Sequence, residues 1–333
     1  MEMQVFTCQS DGWIVDDPNY HFFKIPKRKG GFRVISAPNP SLKERQEKLM
    51  RQLIGTLPIS PFAHAFRPHH NIITNAIPHV GKKYIMRIDI HEFFHSTTFE
   101  MFVEKIKTVQ NKIDYHPEKY SKRTKDFCRK VIKDSAFQEH IKRTCFMHVI
   151  NKESGKHEWI LPQGAPTSPV ISNFVLSSFD WLVGYTFILN LNDIWIGEEK
   201  ENPNLDYTRY ADDITVSSDD NVALFKMKKF IETKLEYFGY VVNEEKTKII
   251  SRNHRQIVCG VVVNDRISMP KERKKRVEAL KYLISKGKLE PDLSIKGELA
   301  FAEMFHPKKV DRMRKYAITW RDLQIKEDIL DFV

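Results

Sequence analysis

Apolar and polar positions divide this chain into short strands and longer helices. The stretch KKYIMRIDI alternates, which predicts a strand with Asp89 on the face opposite Ile88 and Ile90. Residues 20–37 predict two more strands around a basic Gly-Gly turn, and residues 39–54 carry apolar residues at helical spacing. Further helices are predicted across most of 99–145, over about 221–238 and from about 270 onward.

The order of these elements bears on the fold class. Strands and helices are interleaved without a regular βα repeat, and the strand with Asp89 lies more than a hundred residues before the hairpin with Asp212 and Asp213. This pattern favours an α+β fold over a doubly wound sheet.

Two polar segments interrupt the predicted elements. LPQGAPTSP, residues 161–169, predicts a rigid loop before a helix. YTRYADDITV, residues 207–216, places two adjacent aspartates at a tight turn between strands. Aspartate is a common turn residue, so a solvated turn is one interpretation. The other is a cation site, because Mg²⁺ prefers oxygen ligands.

Composition narrows the kinds of binding partner and the cellular compartment that are expected for this protein. The chain has 333 residues, 41% of them hydrophobic, and a formal net charge of +11, which favours a polyanion such as nucleic acid. Four scattered cysteines without C-x-x-C pairing predict reduced thiols in a cytoplasmic protein. We see no signal peptide and no apolar stretch of membrane-spanning length, so no membrane partner is expected.

The separated aspartates suit phosphoryl transfer. Two metal ions roughly 4 Å apart can stabilise the attacking and leaving oxygens of such a reaction. Those ions need carboxylates that converge from rigid strands, and Asp89, Asp212 and Asp213 supply such a set.

Several motifs in order resemble a known family. RIDIHEFF (87–94), LPQGAPTSP (161–169) and YADD (210–213) are similar to the catalytic motifs of reverse transcriptases, and GYVVNEEKTKI (239–249) is similar to the motif that follows. The resemblance covers roughly residues 20–265. TNAIPHVG and IVCGVVV resemble two boxes of bacterial retron reverse transcriptases, although Cys259 stands where that family has threonine, which puts a recognition role of that hydroxyl in question.

The resemblance implies a right-hand polymerase with an antiparallel palm sheet. We expect fingers over 1–80, a palm over 81–265 and a helical thumb over 266–333. Within the palm, fingers-type and surface insertions are expected near 99–160 and 186–206.

The resemblance also implies roles at the reacting centre. Asp89, Asp212 and Asp213 are expected to hold two Mg²⁺ ions, with the backbone carbonyl of Ile90 as a further ligand. Lys246 is a candidate to protonate or neutralise the leaving pyrophosphate, or else a surface lysine.

Four residues are candidates for binding the nucleotide. Arg33 follows the Gly-Gly turn, and its guanidinium can grip phosphate bidentately; a solvated turn is the alternative. The resemblance places Phe94 beneath the incoming sugar and Gln163 and Gly164 against nucleotide and template. The alternatives are a core phenylalanine and an ordinary loop at the start of a helix.

Two further groups are candidates for RNA binding. The boxes contribute Asn75, His79, Val258, Cys259 and Gly260, and a structural role is the alternative for the histidine. The basic run 271–288 contributes Lys271, Arg273, Lys274 and Lys275, with a solvated charged face as the alternative.

The resemblance therefore implies a retron reverse transcriptase. We expect it to copy a cognate structured non-coding RNA, which serves as template and primer, into branched RNA-linked single-stranded DNA (msDNA) from deoxynucleoside triphosphates. An RNA–DNA hybrid is the product, and an effector protein encoded nearby in anti-phage defence is a possible partner. The alternatives are another bacterial defence-associated or group II intron-like reverse transcriptase and, more remotely, a non-catalytic RNA-binding scaffold.

Overall fold

A computed structural model describes residues 7–8, 13–15, 17–27, 30–152, 154–189 and 204–317. Its strands are β1 Thr7–Cys8, β2 Trp13–Val15, β3 Tyr20–Pro26, β4 Phe32–Pro38, β5 Tyr84–Ile90, β6 Met147–Asn151, β7 His157–Ile160, β8 Asp206–Tyr210, β9 Asp213–Ser218, β10 Val242–Ser251, β11 Ile257–Val258 and β12 Val261–Val262.

The helices are α1 Pro40–Leu53, α2 Ile72–Ala76, α3 Phe99–Tyr115, α4 Lys122–Lys133, α5 Ser135–Cys145, α6 Ser168–Val175, α7 Ser177–Leu189, α8 Asn221–Tyr237, α9 Lys271–Ser285, α10 Leu293–Glu303 and α11 Pro307–Arg314. Short 3₁₀ turns cover Ile77–His79 and Pro117–Lys119. No helix in the described ranges is both long and apolar enough to cross a membrane.

The chain forms two compact units. The first comprises Met1–Ser60, His91–Ser178 and Tyr237–Tyr240, and the second comprises Pro61–Ile90, Phe179–Glu236 and Val241–Val333.

The first unit combines a small sheet with a helical core. Its four strands pair antiparallel in the order β1-β2-β6-β7, and β3 and β4 form a separate hairpin. Asn39 caps α1 by accepting the Leu42 backbone N–H at 2.8 Å, and Pro40 stands in the first turn. The apolar faces of α1 and α3–α6 bury residues such as Leu53, Phe102 and Phe174 in one core.

The second unit is organised around an antiparallel sheet with strand order β10-β5-β9-β8. The alternation predicted for β5 is present, because Met86, Ile88 and Ile90 are buried whereas Arg87 and Asp89 are partly exposed. A two-residue turn joins β11 to β12, and the hairpin packs with α2 in an apolar cluster.

These elements confirm the α+β class and the antiparallel sheet. The strands β6 and β7, within the predicted insertion 99–160, were not expected from the sequence. The boundaries of fingers, palm and thumb remain a prediction. Residues 190–203 of the predicted surface insertion and 318–333 of the predicted thumb lie outside the described residues.

Candidate active site

The strand register places the predicted catalytic aspartates together. Asp89 at the end of β5 is the direct cross-strand partner of Asp213 at the start of β9. The Ile90 backbone N–H donates to the Asp212 carbonyl at 3.0 Å, which joins the end of β5 to the acidic turn. Paired residues on one face of a sheet have neighbouring side chains. The two carboxylates are therefore adjacent although they lie far apart in sequence.

The turn that carries Asp212 is tight and strained. Ala211 and Asp212 link Tyr210 to Asp213, which pair with each other across the hairpin. Ala211 has φ +58° whereas Asp212 does not have a positive φ, which is the pattern of a type II′ turn. A left-handed alanine costs free energy because its Cβ crowds the backbone. The turn is thus held by its surroundings rather than by the preference of its residues.

A buried ion pair lies behind this turn. Arg209 donates from Nε and Nη2 to Asp180 at 2.8 and 2.7 Å, and from Nη1 to the Ala211 carbonyl at 3.0 Å. Tyr207 also donates to Asp180, at 2.6 Å, and the side chains of Arg209 and Asp180 are fully buried. Arg209 therefore ties the acidic turn to α7 through a planar, bidentate contact. Neither Arg209 nor Asp180 was expected from the sequence to contribute to the site.

Asp89, Asp212 and Asp213 form an acidic centre, and the positive charge around it is unevenly distributed. Lys246 Nζ lies 2.6 Å from Asp89 Oδ1, and the guanidinium of Arg87 contacts both oxygens of Asp213. In the described part of the chain, Asp212 forms no ion pair. Burial, and then the neighbouring charge of Asp89, raise the pKa of Asp212 from 3.8 to about 6. Burial also raises the pKa of Asp213, and Arg87 opposes that rise.

Lys246 reaches Asp89 because of an irregularity in β10. Asn243 pairs with Asp89 and Lys248 pairs with Arg87, so four residues of β10 between these pairs face a single residue of β5. Such a bulge redirects side chains from their regular alternation. The ammonium of Lys246 is consequently held at the acidic centre by Asp89.

The oxygen-rich centre fits a hard divalent cation. Among the described residues, no group of three or more His, Cys, Asp and Glu side chains is arranged as a metal site. Mg²⁺ does not need such a cage, because it commonly takes one or two carboxylates and completes its shell with water and substrate phosphates. Asp89 and Asp212 satisfy that requirement, and burial together with the charge of Asp89 raises the pKa of Asp212, so a cation at this centre would stabilise its ionised form. The carbonyl of Ile90 remains a predicted ligand.

The predicted nucleotide loop belongs to the first unit and packs on β4. The Ser36 backbone N–H donates to the Gln163 carbonyl at 2.8 Å. Gly164 has φ +136°, and a Cβ there would lie 2.9 Å from both Ile35 Cγ2 and the Ser36 carbonyl oxygen. Glycine is therefore required by close packing against β4, a constraint present without any nucleotide.

The other nucleotide candidates lie in the same unit. Arg33 on β4 is exposed, two residues before the strand position that Gly164 contacts. Phe94 is half-buried against the core of this unit, and its ring centroid is 5.3 Å from that of Phe93. Nucleotide binding by Arg33, Phe94, Gln163 and Gly164 remains a prediction.

The first retron-like box lies in the interior of the second unit. Asn75 and His79 are both fully buried, and the two ring nitrogens of His79 lie 2.7 Å from Ser217 Oγ and 2.8 Å from Thr208 Oγ1. Burial lowers the pKa of His79 to about 3, so the imidazole is neutral. This environment favours a structural role for His79, and direct RNA contact by either residue remains a prediction.

The second box forms the turn between β11 and β12. Val258 is fully buried, whereas Cys259 and Gly260 occupy the turn with φ +47° and +83°. Cys259 Sγ lies 3.8 Å from Asp213 Oδ2 and 3.5 Å from Asn75 Nδ2. Burial, and then the charge of Asp213, raise the pKa of the Cys259 thiol well above its usual range. The two boxes thus meet beside Asp213, one of the predicted catalytic aspartates.

The basic run lies on α9. Lys271, Lys274 and Lys275 are exposed, but Arg273 is engaged within the unit: its Nε donates to Glu298 at 2.8 Å and its guanidinium lies 3.3 Å from the Phe301 ring centroid. Arg273 therefore links α9 to α10. RNA contact by these four residues remains a prediction, and the lysines are the members displayed to solvent.

Comparison with known proteins connects this arrangement to a family. Residues 25–284 match the family model described as "Reverse transcriptase (RNA-dependent DNA polymerase)". "Retron Mx65 reverse transcriptase" of Myxococcus xanthus is 30% identical over 307 residues, which cover 89% of this chain and 64% of that protein. "Retron Ec83 reverse transcriptase" of Escherichia coli is 30% identical over 304 residues, which cover 89% of this chain and 86% of that protein.

Solved structures with a similar fold are more distant. A foamy viral protease-reverse transcriptase in complex with double-stranded DNA has a TM-score of 0.45 and 16% identity, over 92% of this chain and 40% of that one. A telomerase from Candida tropicalis in complex with a fragment of telomeric RNA has a TM-score of 0.42 and 17% identity, over 92% of this chain and 54% of that one.

Proposed function

We propose that this chain, which belongs to the retron reverse transcriptases, copies a structured non-coding RNA into DNA. The family as a whole consists of RNA-dependent DNA polymerases. The chain spans 64% of the length of one retron relative and 86% of another, so the activity, substrates and partners of the whole protein are part of this proposal.

One observation carries the proposal. Asp89 and Asp213 are register partners on adjacent strands, and Asp212 lies at the turn beside them with its pKa raised to about 6. Adjacent carboxylates with incomplete compensation by positive charge are costly to maintain without a functional use. A non-catalytic RNA-binding scaffold would not require them.

The chain's own residues support nucleotidyl transfer as follows. Asp89 and Asp212 would hold Mg²⁺, with Asp213 beside them and oriented by Arg87. When bound, the two ions would neutralise charge on the attacking and leaving oxygens. Arg209 fixes the turn and so fixes the position of Asp212. Lys246, held 2.6 Å from Asp89, would supply a proton or a positive charge to the departing pyrophosphate.

The bond changes balance without any further reactant. A hydroxyl oxygen of the primer forms a bond to the α-phosphorus of a deoxynucleoside triphosphate, and the bond from that phosphorus to the bridging oxygen of pyrophosphate breaks. The hydroxyl proton passes to solvent. In a retron the first attacking group would be a 2′-hydroxyl of the RNA, so the product would be DNA joined to RNA by a 2′,5′ bond.

RNA binding would rest on exposed cations. Lys271, Lys274 and Lys275 on α9 are displayed to solvent and can neutralise phosphates without reading sequence. Recognition of one RNA would come from its loops and 2′-hydroxyls, because A-form grooves hide most base edges. A cytoplasmic location and a defence effector encoded nearby complete the proposal.

The test is to identify the product. Nucleic acid would be extracted from cells expressing the gene with its native flanking sequence, and separated before and after treatment with a debranching enzyme. We expect a short DNA whose mobility changes on debranching and which is absent with Asp89→Asn. DNA with a free or protein-linked 5′ end, unchanged by debranching, would instead indicate another reverse transcriptase class. Absence of any DNA from the wild type would contradict the proposal.

A further inference from the structure

The two retron-like boxes converge on the same carboxylate. Asn75 Nδ2 donates to Cys259 Sγ at 3.5 Å, and Cys259 Sγ lies 3.8 Å from Asp213 Oδ2, within reach of a weak S–H hydrogen bond. Asn75 and Cys259 are 184 residues apart in sequence, and Cys259 and Asp213 are 46 apart. The fold therefore builds a continuous series of contacts from the end of α2 to the acidic centre.

Both members of this series are firmly anchored. Cys259 and Gly260 form the two-residue turn between Val258 and Val261, which pair across the hairpin, and both turn residues have positive φ. Asn75 is held through its backbone, because its N–H donates to the Asn71 carbonyl at 3.1 Å. Thr208 Oγ1 also donates to the Asn75 carbonyl, at 3.2 Å. The backbone positions of Asn75 and Cys259 are thus fixed, which keeps the amide of Asn75 within reach of the sulfur and the sulfur within reach of Asp213.

The two oxygens of Asp213 are not equivalent. Oδ2 contacts both Arg87 Nη2 and Cys259 Sγ. Among the described residues, Oδ1 has one hydrogen bond, the longer contact of 3.4 Å from Arg87 Nε. A carboxylate held mainly through one oxygen has a defined rotation about its Cβ–Cγ bond. The other oxygen remains available to a further ligand.

We propose that Asn75 and Cys259 are positioning residues that orient the Asp213 carboxylate. Asn75 directs the sulfur, the thiol holds Oδ2 together with Arg87, and Oδ1 is left for the ions and substrate. This inference rests on the proposed function, since it assigns a role within the same reacting centre. It differs from the expectation that the boxes contact RNA, which the burial of Asn75 does not favour.

The chemical requirement at residue 259 follows from these contacts. The side chain must be short, must accept from the Asn75 amide and must donate to Asp213. Serine and threonine meet this requirement, whereas alanine and valine do not. Cys259→Ser against Cys259→Ala is therefore a matched pair, and Cys259→Gly, which also lacks the donor and tolerates the positive φ of this turn, is a second variant to compare with Cys259→Ser.

The experiment measures binding of Mn²⁺ alone to the purified full chain by calorimetry, beside primer extension at varied Mg²⁺ and binding of the native RNA. A neutral hydrogen bond contributes about 0.5–1.5 kcal/mol, or about two- to tenfold in an equilibrium constant. We expect Cys259→Ala to weaken Mn²⁺ binding and raise the Mg²⁺ concentration for half-maximal extension by that factor. Cys259→Ser should recover both, with the RNA dissociation constant unchanged.

Each other outcome has a defined meaning. Equal Mn²⁺ affinity in wild type and Cys259→Ala, or equal losses in the alanine and serine variants, would overturn the positioning role. Weaker RNA binding with unchanged metal dependence would assign the box to RNA contact instead. If Cys259→Ala does not fold, the comparison of Cys259→Gly with Cys259→Ser gives the same test. If the wild type binds Mn²⁺ no better than an Asp89→Asn, Asp212→Asn double variant, the proposed function itself fails.

Discussion

Replacing Asp212 with asparagine should have opposite effects on stability and on catalysis. The substitution keeps the shape of the side chain and removes one negative charge from a centre where Asp89 and Asp213 already crowd it. The folded protein raises the pKa of Asp212 from 3.8 to about 6. Ionisation of this carboxyl therefore opposes folding once the pH exceeds the unfolded value.

The size of the effect follows from the pKa difference. Two pKa units correspond to about 3 kcal/mol at pH above both values, and partial exposure of Asp212 reduces this to about 1–3 kcal/mol. We expect metal-free Asp212→Asn to be more stable than the wild type by that amount near pH 7.5. The gain should shrink as the pH falls through 6 and disappear at about pH 3, below both pKa values, where the wild-type carboxyl is protonated in both states.

Mg²⁺ should reverse this difference in stability, and the rate of DNA synthesis should be lower in Asp212→Asn than in the wild type. We expect Mg²⁺ to bind the folded wild type more tightly than Asp212→Asn, and it should therefore stabilise the wild type more. The rate of DNA synthesis should fall by about a thousandfold or more, since several kcal/mol of electrostatic stabilisation are lost.

Urea unfolding at pH 7.5 and 5, with EDTA or with Mg²⁺, measures the stability, and primer extension measures the rate. Asp219→Asn is the matched control: Asp219 accepts from the Lys83 N–H and from Asn204, and its pKa is lowered, so its loss should destabilise. A metal-free Asp212→Asn protein less stable than the wild type at pH 7.5, or one with near-normal synthesis, would refute the reasoning.

Three further substitutions test other parts of the structure. Phe94→Ala should raise the kcat/KM for ribonucleotides relative to that for deoxynucleotides. An unchanged ratio in an active enzyme would indicate that Phe94 is a core residue that does not select the sugar. Gly164→Ala should lower the free energy of unfolding by about 1–3 kcal/mol, more than Gly31→Ala, whose added Cβ would meet no atom within 4 Å. Arg209→Met should cost about 3–5 kcal/mol, because it leaves Asp180 buried without its partner, and the double change Arg209→Met, Asp180→Leu should cost clearly less. Equal losses in the single and double variants, measured by urea unfolding, would contradict that account.

The sequence predicted the parts of the site that depend on local pattern. Alternation in β5 placed Asp89 and Arg87 on one face, and the acidic pair at a turn placed Asp212 and Asp213 in a hairpin. The prediction of a retron reverse transcriptase is confirmed, because the motifs occur in order and a retron relative is 30% identical over 89% of this chain. These features are visible because each lies within about ten residues of sequence.

The remaining features depend on pairing between distant segments. Nothing near Arg87 indicates that its guanidinium contacts Asp213, 126 residues away. His79 gives no local sign that Ser217 and Thr208 enclose it, and Gly164 gives none that it packs on Ile35. The residue types can be read from a single sequence, but the pairing of distant segments that brings these residues into contact cannot.

The ion pair between Asp180 and Arg209 has a consequence for how this family can vary. Asp180 on α7 and Arg209 on β8 are 29 positions apart, so their ion pair joins the two elements on either side of the segment between α7 and β8. Closing a longer segment costs little, about 0.6 kcal/mol for each doubling of its length. Insertions, deletions or a reporter domain placed within 190–203 should therefore leave the acidic turn in register. The pair thus makes the position of the acidic turn relative to α7 independent of the length of the segment that joins α7 to β8.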